Sequence, residues 1–228
     1  MSHFTVYVFS KQYGNDVKDL LAPYDENKEM SPYVKYTKAQ AIAKVRKGIE
    51  DYKHGLYAEY LADPEGYKKK AYDRAFNEER YYQHIDYLEN EFPKMLNWTD
   101  EECYEDEVQW YRDDDMIDDD GNLLSTYNPN SKWDWYSVGG RWDGNLVTKD
   151  ETKCDEEYIS QIDWNKTPVP FAYITPDGEW HERGTMGWWA IVTDEKNHDD
   201  WESEFREAVE KMIREDKDIM VTNVDCHI

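Results

Sequence analysis

The sequence is short of cysteine, of long apolar runs and of positive charge, and each shortage removes a class of protein. Its three cysteines, Cys103, Cys154 and Cys226, lie far apart and form no C-x-x-C pair, so they make neither a disulfide framework nor a zinc knuckle. No stretch approaches the roughly 18 apolar residues that a spanning helix needs. The opening MSHFTVYVFSK lacks both a basic n-region and a long apolar core, so a secretory leader is not expected. Gly139, Gly140 and Gly144 are too few and wrongly spaced for a phosphate cradle. A P-loop, a dinucleotide fingerprint, a nucleophile elbow and an H-E-x-x-H pair are all missing. These absences leave a soluble intracellular protein with no membrane partner as the expectation.

What is abundant is negative charge. The chain carries 51 Asp and Glu against 27 Lys and Arg, a formal charge of −24. Residues 1–98 are balanced, with 15 basic and 16 acidic side chains, whereas residues 99–228 hold 12 and 35. Such a surface repels nucleic-acid backbones and suits a partner protein with a basic surface.

Phe4–Phe9 is short, β-branched and aromatic, and reads as a strand. Residues 10–36 are irregular. From Thr37, a plausible N-cap, Ile42, Val45, Ile49, Tyr52, Leu56 and Tyr60 recur on one helical face. Asp63-Pro64 breaks that helix and caps another running towards Phe92. Thr99 with Glu102 matches a capping box for a third. These helical faces are rich in tyrosine and poor in leucine. Asp113–Asp120 is an acid-dense loop closed by the turn signal Asp120-Gly121. An EF-hand is excluded there, because Met116 would stand at its first ligand position and Tyr127 where the bidentate Glu belongs.

The central stretch, KWDWYSVGGRWDG at Lys132–Gly144, gathers Trp133, Trp135, Tyr136 and Trp142 around Gly139-Gly140 and Arg141. Alternation places Trp133, Trp135 and Ser137 on one strand face, with the glycines as a hairpin turn or bulge. Two readings stand. The tryptophans are core and Arg141 pairs with Asp134 or Asp143; or Arg141 is an anion-binding arm beside backbone N–H groups freed by the glycines.

Asp155–Trp164 reads as a short helix. Phe171–Thr175 and Glu179–Glu182 flank Pro176-Asp177-Gly178 as a hairpin. Gly187–Thr193 reads as a buried strand. Asp199 with Glu202 opens a helix striped by Trp201, Phe205, Ala208, Met212 and Ile213. Ile219–Ile228 is a last strand. Together these predict an α+β fold. Residues 1–36 and 113–228 would form a mixed, mostly antiparallel sheet with a ferredoxin-like centre, and residues 37–112 an inserted helical arm.

In a ferredoxin-like arrangement the terminal strands are antiparallel neighbours, which would bring His3 to Asp225 and His227. Two imidazoles and a carboxylate suit a divalent transition metal or an acid/base pair. Equally, terminal histidines are often solvated, and Cys226 would then simply be core.

The blocks MSHFTV, KWDWYSVGGRWDG, TPDGEWHERGTMGWW and the closing VDCHI, in this order, resemble an uncharacterised family of small phage and prophage proteins. The resemblance covers both ends and residues 128–193, and not the helices at 37–112. It implies a viral context, hence a host-cell cytoplasm, and no reaction. Two function classes follow. One is a non-enzymatic phage inhibitor of a host defence or nucleic-acid-processing protein, with DNA imitation as one form, that needs no cofactor. It would present Glu101, Glu102, Glu105, Glu107, Asp113, Asp114, Asp115, Asp118, Asp119 and Asp120 to a basic groove. The alternative is a small metal-dependent hydrolase or nucleotide-binding protein built on the chain ends, with Arg141 holding a phosphate.

Overall fold

The two ends of the chain are zipped together. In the computed structural model, which describes residues 2–11, 16–112, 115–187 and 191–228, β1 (His3–Lys11) runs antiparallel to β12 (Ile219–His227). The ladder is unbroken from His3 opposite His227 to Lys11 opposite Ile219. By its contacts the chain divides into two units, Met1–Met30 with Tyr127–Ile228, and Ser31–Thr126.

The first unit is built on one mixed sheet. Its order is β4 (Trp135–Val138), β12, β1, β8 (Ala172–Ile174) and β9 (Trp180–Glu182). A further strand, β7 (Glu156–Tyr158), pairs with Met220–Thr222 of β12. Every pairing is antiparallel except β1 with β8. That parallel pair leaves a ferredoxin-like centre, in which all neighbours are antiparallel, unestablished. Two short ladders complete the unit: β5 (Leu146–Val147) with β6 (Lys153–Cys154), and β10 (Thr185–Met186) with β11 (Val192–Thr193). The rest of the strand expected at Gly187–Thr193 includes Trp188 and Trp189, which lie outside the described residues.

Alternation along β1 and β12 serves two cores. Tyr7, Phe9, Ile219 and Val221 face α8 (His198–Glu215), which contributes Trp201, Phe205, Val209 and Met212 at helical spacing. Phe4, Val6, Val8, Val224 and Cys226 face the other way, against Leu20 and Leu21 of α1 (Val17–Leu21). Cover on both faces explains why β1 reads as a continuous apolar run. The α8 cap is Asn197, whose side chain accepts the Asp199 N–H, and not Asp199; the acid sits in the first turn, where the helix dipole favours it.

The expected helix at Asp155–Trp164 does not form. The Glu156–Tyr158 backbone is spent on the β12 ladder, and turns follow it. Nor do Gly139 and Gly140 close a hairpin. Both have positive φ, 69° and 56°, and they turn the chain out of the sheet into a 3₁₀ turn at Gly140–Trp142. The next strand, β5, pairs with β6 instead of β4.

The second unit carries α2 (Lys38–His54), α3 (Leu56–Ala62), α4 (Pro64–Arg74), α5 (Glu78–Asp86), a π-helical turn at Tyr87–Glu91, α6 (Phe92–Met95) and α7 (Asp100–Arg112). It also holds the antiparallel pair β2 (Tyr33–Tyr36) and β3 (Leu123–Ser125). Thr37 and Gln40 form a capping box for α2, Asp63 caps α4 with Pro64 at its first position, and Thr99 with Glu102 caps α7. The two long helices suggested by periodicity are each cut once. Gly55, at φ −96° and ψ −112°, ends α2, and Asn77 caps α5 after a break at Ala75. Among the described residues, no helix is long and apolar enough to cross a membrane.

Two glycines should respond oppositely to alanine. Gly48 lies inside α2 with nothing within 4 Å of a built Cβ, so Gly48→Ala should stabilise by about 0.8–1 kcal/mol in urea unfolding. At Gly140 a Cβ would lie 2.5 Å from the Asp225 Cβ. Gly140→Ala should cost more than the roughly 1–2 kcal/mol of left-handed backbone strain alone.

Candidate functional site

On β12 the face that carries Ile219 and Val221 continues as Asn223, Asp225 and His227, all buried. The same face of β1 supplies His3 and Thr5, and that of β4 supplies Ser137 opposite Asp225 and Trp135 opposite His227. A buried polar row thus replaces the apolar one, and buried polar groups need partners. They have them. Thr5 Oγ1 donates to Asn223 Oδ1 at 3.3 Å, His3 Nδ1 meets Asp225 Oδ1 at 2.9 Å, and His227 Nδ1 meets Asp134 Oδ1 at 2.6 Å.

The glycine turn covers this row. The Arg141 N–H donates to Asp225 Oδ2 at 3.0 Å, so both oxygens of that carboxylate are used. Asn223 donates to the Trp142 carbonyl and to Asp155 Oδ1, each at 2.7 Å, and the Gly144 N–H reaches the same Asp155 oxygen at 2.9 Å. A side chain at residue 139 or 140 would strike Asp155 or Asp225, which is the local reason for two glycines.

The structure therefore brings His3, Asp225 and His227 together and adds Asp134. A carboxylate only accepts, so each His holds its proton on Nδ1 and turns a bare Nε2 elsewhere when neutral. The rings lie 5.0 Å apart, with Trp135 stacked on His227 at 5.2 Å. His227 Nε2 is buried without a partner. A carboxylate on Nδ1 is the arrangement that orients metal-ligating histidines. Among the described residues no group of three or more His, Cys, Asp or Glu is arranged to hold a metal ion.

Arg141 stands apart. Its guanidinium is exposed and makes no ion pair or hydrogen bond among the described residues. The pairing with Asp134 or Asp143 that the sequence suggests does not form, because Asp134 holds His227 and Asp143 meets Asp155. Trp133 does not share the face of Trp135. A bend at Asp134 interrupts the strand, and Trp133 turns into the other core, its indole N–H on the Leu21 carbonyl at 3.2 Å.

The acidic residues fall on α7 and the loop after it, and several are already engaged. Glu101 pairs with Lys38, Glu105 with Arg112 and Glu107 with Lys44. Glu102 caps its own helix, and Asp118 accepts the Asn122 backbone and side-chain N–H groups. Asp115, Asp119 and Asp120 are exposed, while Asp113 and Asp114 lie outside the described residues.

Sequence reasoning missed Asn223, Asp134 and Asp155 in the polar row. Asn223 could have been found, since it shares the alternation of Asp225 and His227. Asp155 carried no signal, because its carboxylate arrives from a segment read as helix. No protein-family model, no curated protein and no solved structure matches the chain.

The Asp155 carboxylate, by a hydrogen bond and by its charge, holds the Asp143 carboxyl above its ordinary range. A raised carboxyl binds more protons folded than unfolded just above the ordinary carboxylate range, so stability falls as pH rises through that window. Asp143→Asn should remove this part of the pH dependence of the melting temperature. An unchanged profile would show that the pair carries no linkage.

Proposed function

We propose that the chain is a non-enzymatic binding protein that offers an acidic surface, centred on α7, to a protein with a basic surface. One observation carries this reading. Trp110 is 76% exposed on α7, one helical turn from Asp106, on a helix whose outer residues are mostly acidic. A bare tryptophan within a field of one sign fits an interface: the aromatic ring anchors, and the charge steers. The concentration of acidic excess in residues 99–228 supports it. The resemblance in the sequence blocks supplies the setting, a phage-encoded inhibitor acting in the host cytoplasm on a defence or nucleic-acid-processing protein, with DNA imitation as one form.

Immobilised protein should capture a basic partner from host lysate and release it as salt rises, since exposed charges are screened beyond about 8 Å at physiological ionic strength. Trp110→Ala should weaken capture by roughly 30-fold, the scale of a 2 kcal/mol anchor. Its melting temperature should barely move, because so exposed a ring contributes little to the fold. Capture indifferent to salt and to Trp110→Ala would sink the proposal.

A second reading rests on the unpartnered Nε2 of His227: a divalent transition metal held by His3 and His227. Elemental analysis of untagged protein, with melting followed under added zinc, tests it. A metal-free sample whose melting temperature does not rise removes it.

A further inference from the structure

We propose that the hollow between α3, α4 and α5 binds a purine nucleotide. This inference is independent of the acidic-surface reading and uses different residues. The hollow is a solvent-open depression of about 780 Å³, within the range of small-ligand sites. Three cations line it: Lys70 and Arg74, one turn apart on α4, and Arg80 in the first turn of α5.

None of the three makes an ion pair or a side-chain hydrogen bond among the described residues. Most other cations of the same unit find carboxylates, among them Lys38, Lys44, Arg46, Lys47, Lys53 and Lys68, whereas Lys35 and Lys69 are also unpaired among the described residues but do not line the hollow. Three free cations around one concavity are what an anionic ligand requires. Two are arginines, whose planar forks match phosphate oxygens.

The remaining wall suits a planar ring. Tyr67 and Tyr81 line the hollow with Leu56, Ala62, Ala71 and Ala75. The Tyr67 hydroxyl is held by His84 Nε2 at 3.0 Å, and the Tyr81 ring is braced edge-on by Tyr72 at 5.2 Å, so both rings are positioned before a ligand arrives. Bases stack on aromatic rings of this kind whatever their sequence, because every base has a π-face. Of the two carboxylates present, Asp63 is spent on capping α4 through the Gly66 N–H at 3.0 Å. Glu59 makes no ion pair, and it is the acceptor for the amino and imino edge of a guanine.

The test is calorimetric titration of the full chain with GTP, inorganic triphosphate and guanosine at 0.15 M salt. GTP should bind at least tenfold more tightly than either fragment. Arg74→Ala and Arg80→Ala should each weaken GTP tenfold or more without shifting the melting temperature, since both side chains are exposed. Lys68→Ala, which removes a cation already paired with Glu89 outside the hollow, should leave GTP binding as it is. Absence of GTP binding overturns the proposal. So does triphosphate binding as tightly as GTP, or an Arg74→Ala, Arg80→Ala double variant with native melting that binds GTP as well as the parent.

Discussion

The ladder between β1 and β12 is the constraint on which the first unit depends. Nine residues from each end pair in one register, and a shift by one would send every side chain to the opposite face. Tyr7, Phe9, Ile219 and Val221 would then leave α8, and Phe4, Val6, Val224 and Cys226 would leave α1. Both faces are apolar, so the register is not selected by an apolar face against a wet one. It is selected by the polar row. A slip by two would keep the faces, but only in the native register does His3 stand opposite His227 and within reach of Asp225, whose other oxygen the turn satisfies.

That row is costly. Burying an amide or a carboxylate without partners costs several kcal/mol, and leaving one partner out costs about 1–3. The chain meets the cost with backbone. Gly139 and Gly140 drop the 3₁₀ turn close enough for the Arg141 N–H to reach Asp225, and Asp155 ties Gly144 to Asn223. The Gly-Gly pair and the aspartates on β12 and after β6 are therefore one device. Among the described residues, three buried atoms of the unit depart from full satisfaction: His227 Nε2 in the row, Trp142 Nε1 in the turn that covers it, and Arg183 Nε.

How much of this was legible depends on whether the determining contact is local. Caps at Thr37, Asp63 and Thr99 are made within three residues and could be read directly. So could the Pro176-Asp177-Gly178 hairpin and the alternation of β1 and β12. The break at Gly55 could not, since a glycine inside a helical period costs only about 1 kcal/mol and neighbours decide whether the helix continues. Glu156–Tyr158 was misread because its partner, Met220–Thr222, is more than sixty residues away. The polar row was half legible: the termini named His3, Asp225 and His227, but Asp134 and Asp155 enter it through a bend and a strand that only tertiary pairing defines.

Charge shows the same division between composition and placement. The excess of acid is fixed by counting, yet counting assigns no role. In the second unit the structure sorts it. Glu101, Glu105 and Glu107 meet cations, Glu102 and Asp118 hold backbone N–H groups, and Asp115, Asp119 and Asp120 stay exposed. Surface pairs of this kind contribute little to stability, about 0–1 kcal/mol each, so their main consequence is to thin the field that a partner would feel. The same sorting leaves Lys70, Arg74 and Arg80 without acids, as it does Lys35 and Lys69, but only the first three line one hollow. What sets those three apart is not the lack of acids but their gathering around one concavity, which composition does not account for. In the second unit the sparse charge, and not the abundant one, carries the more specific information.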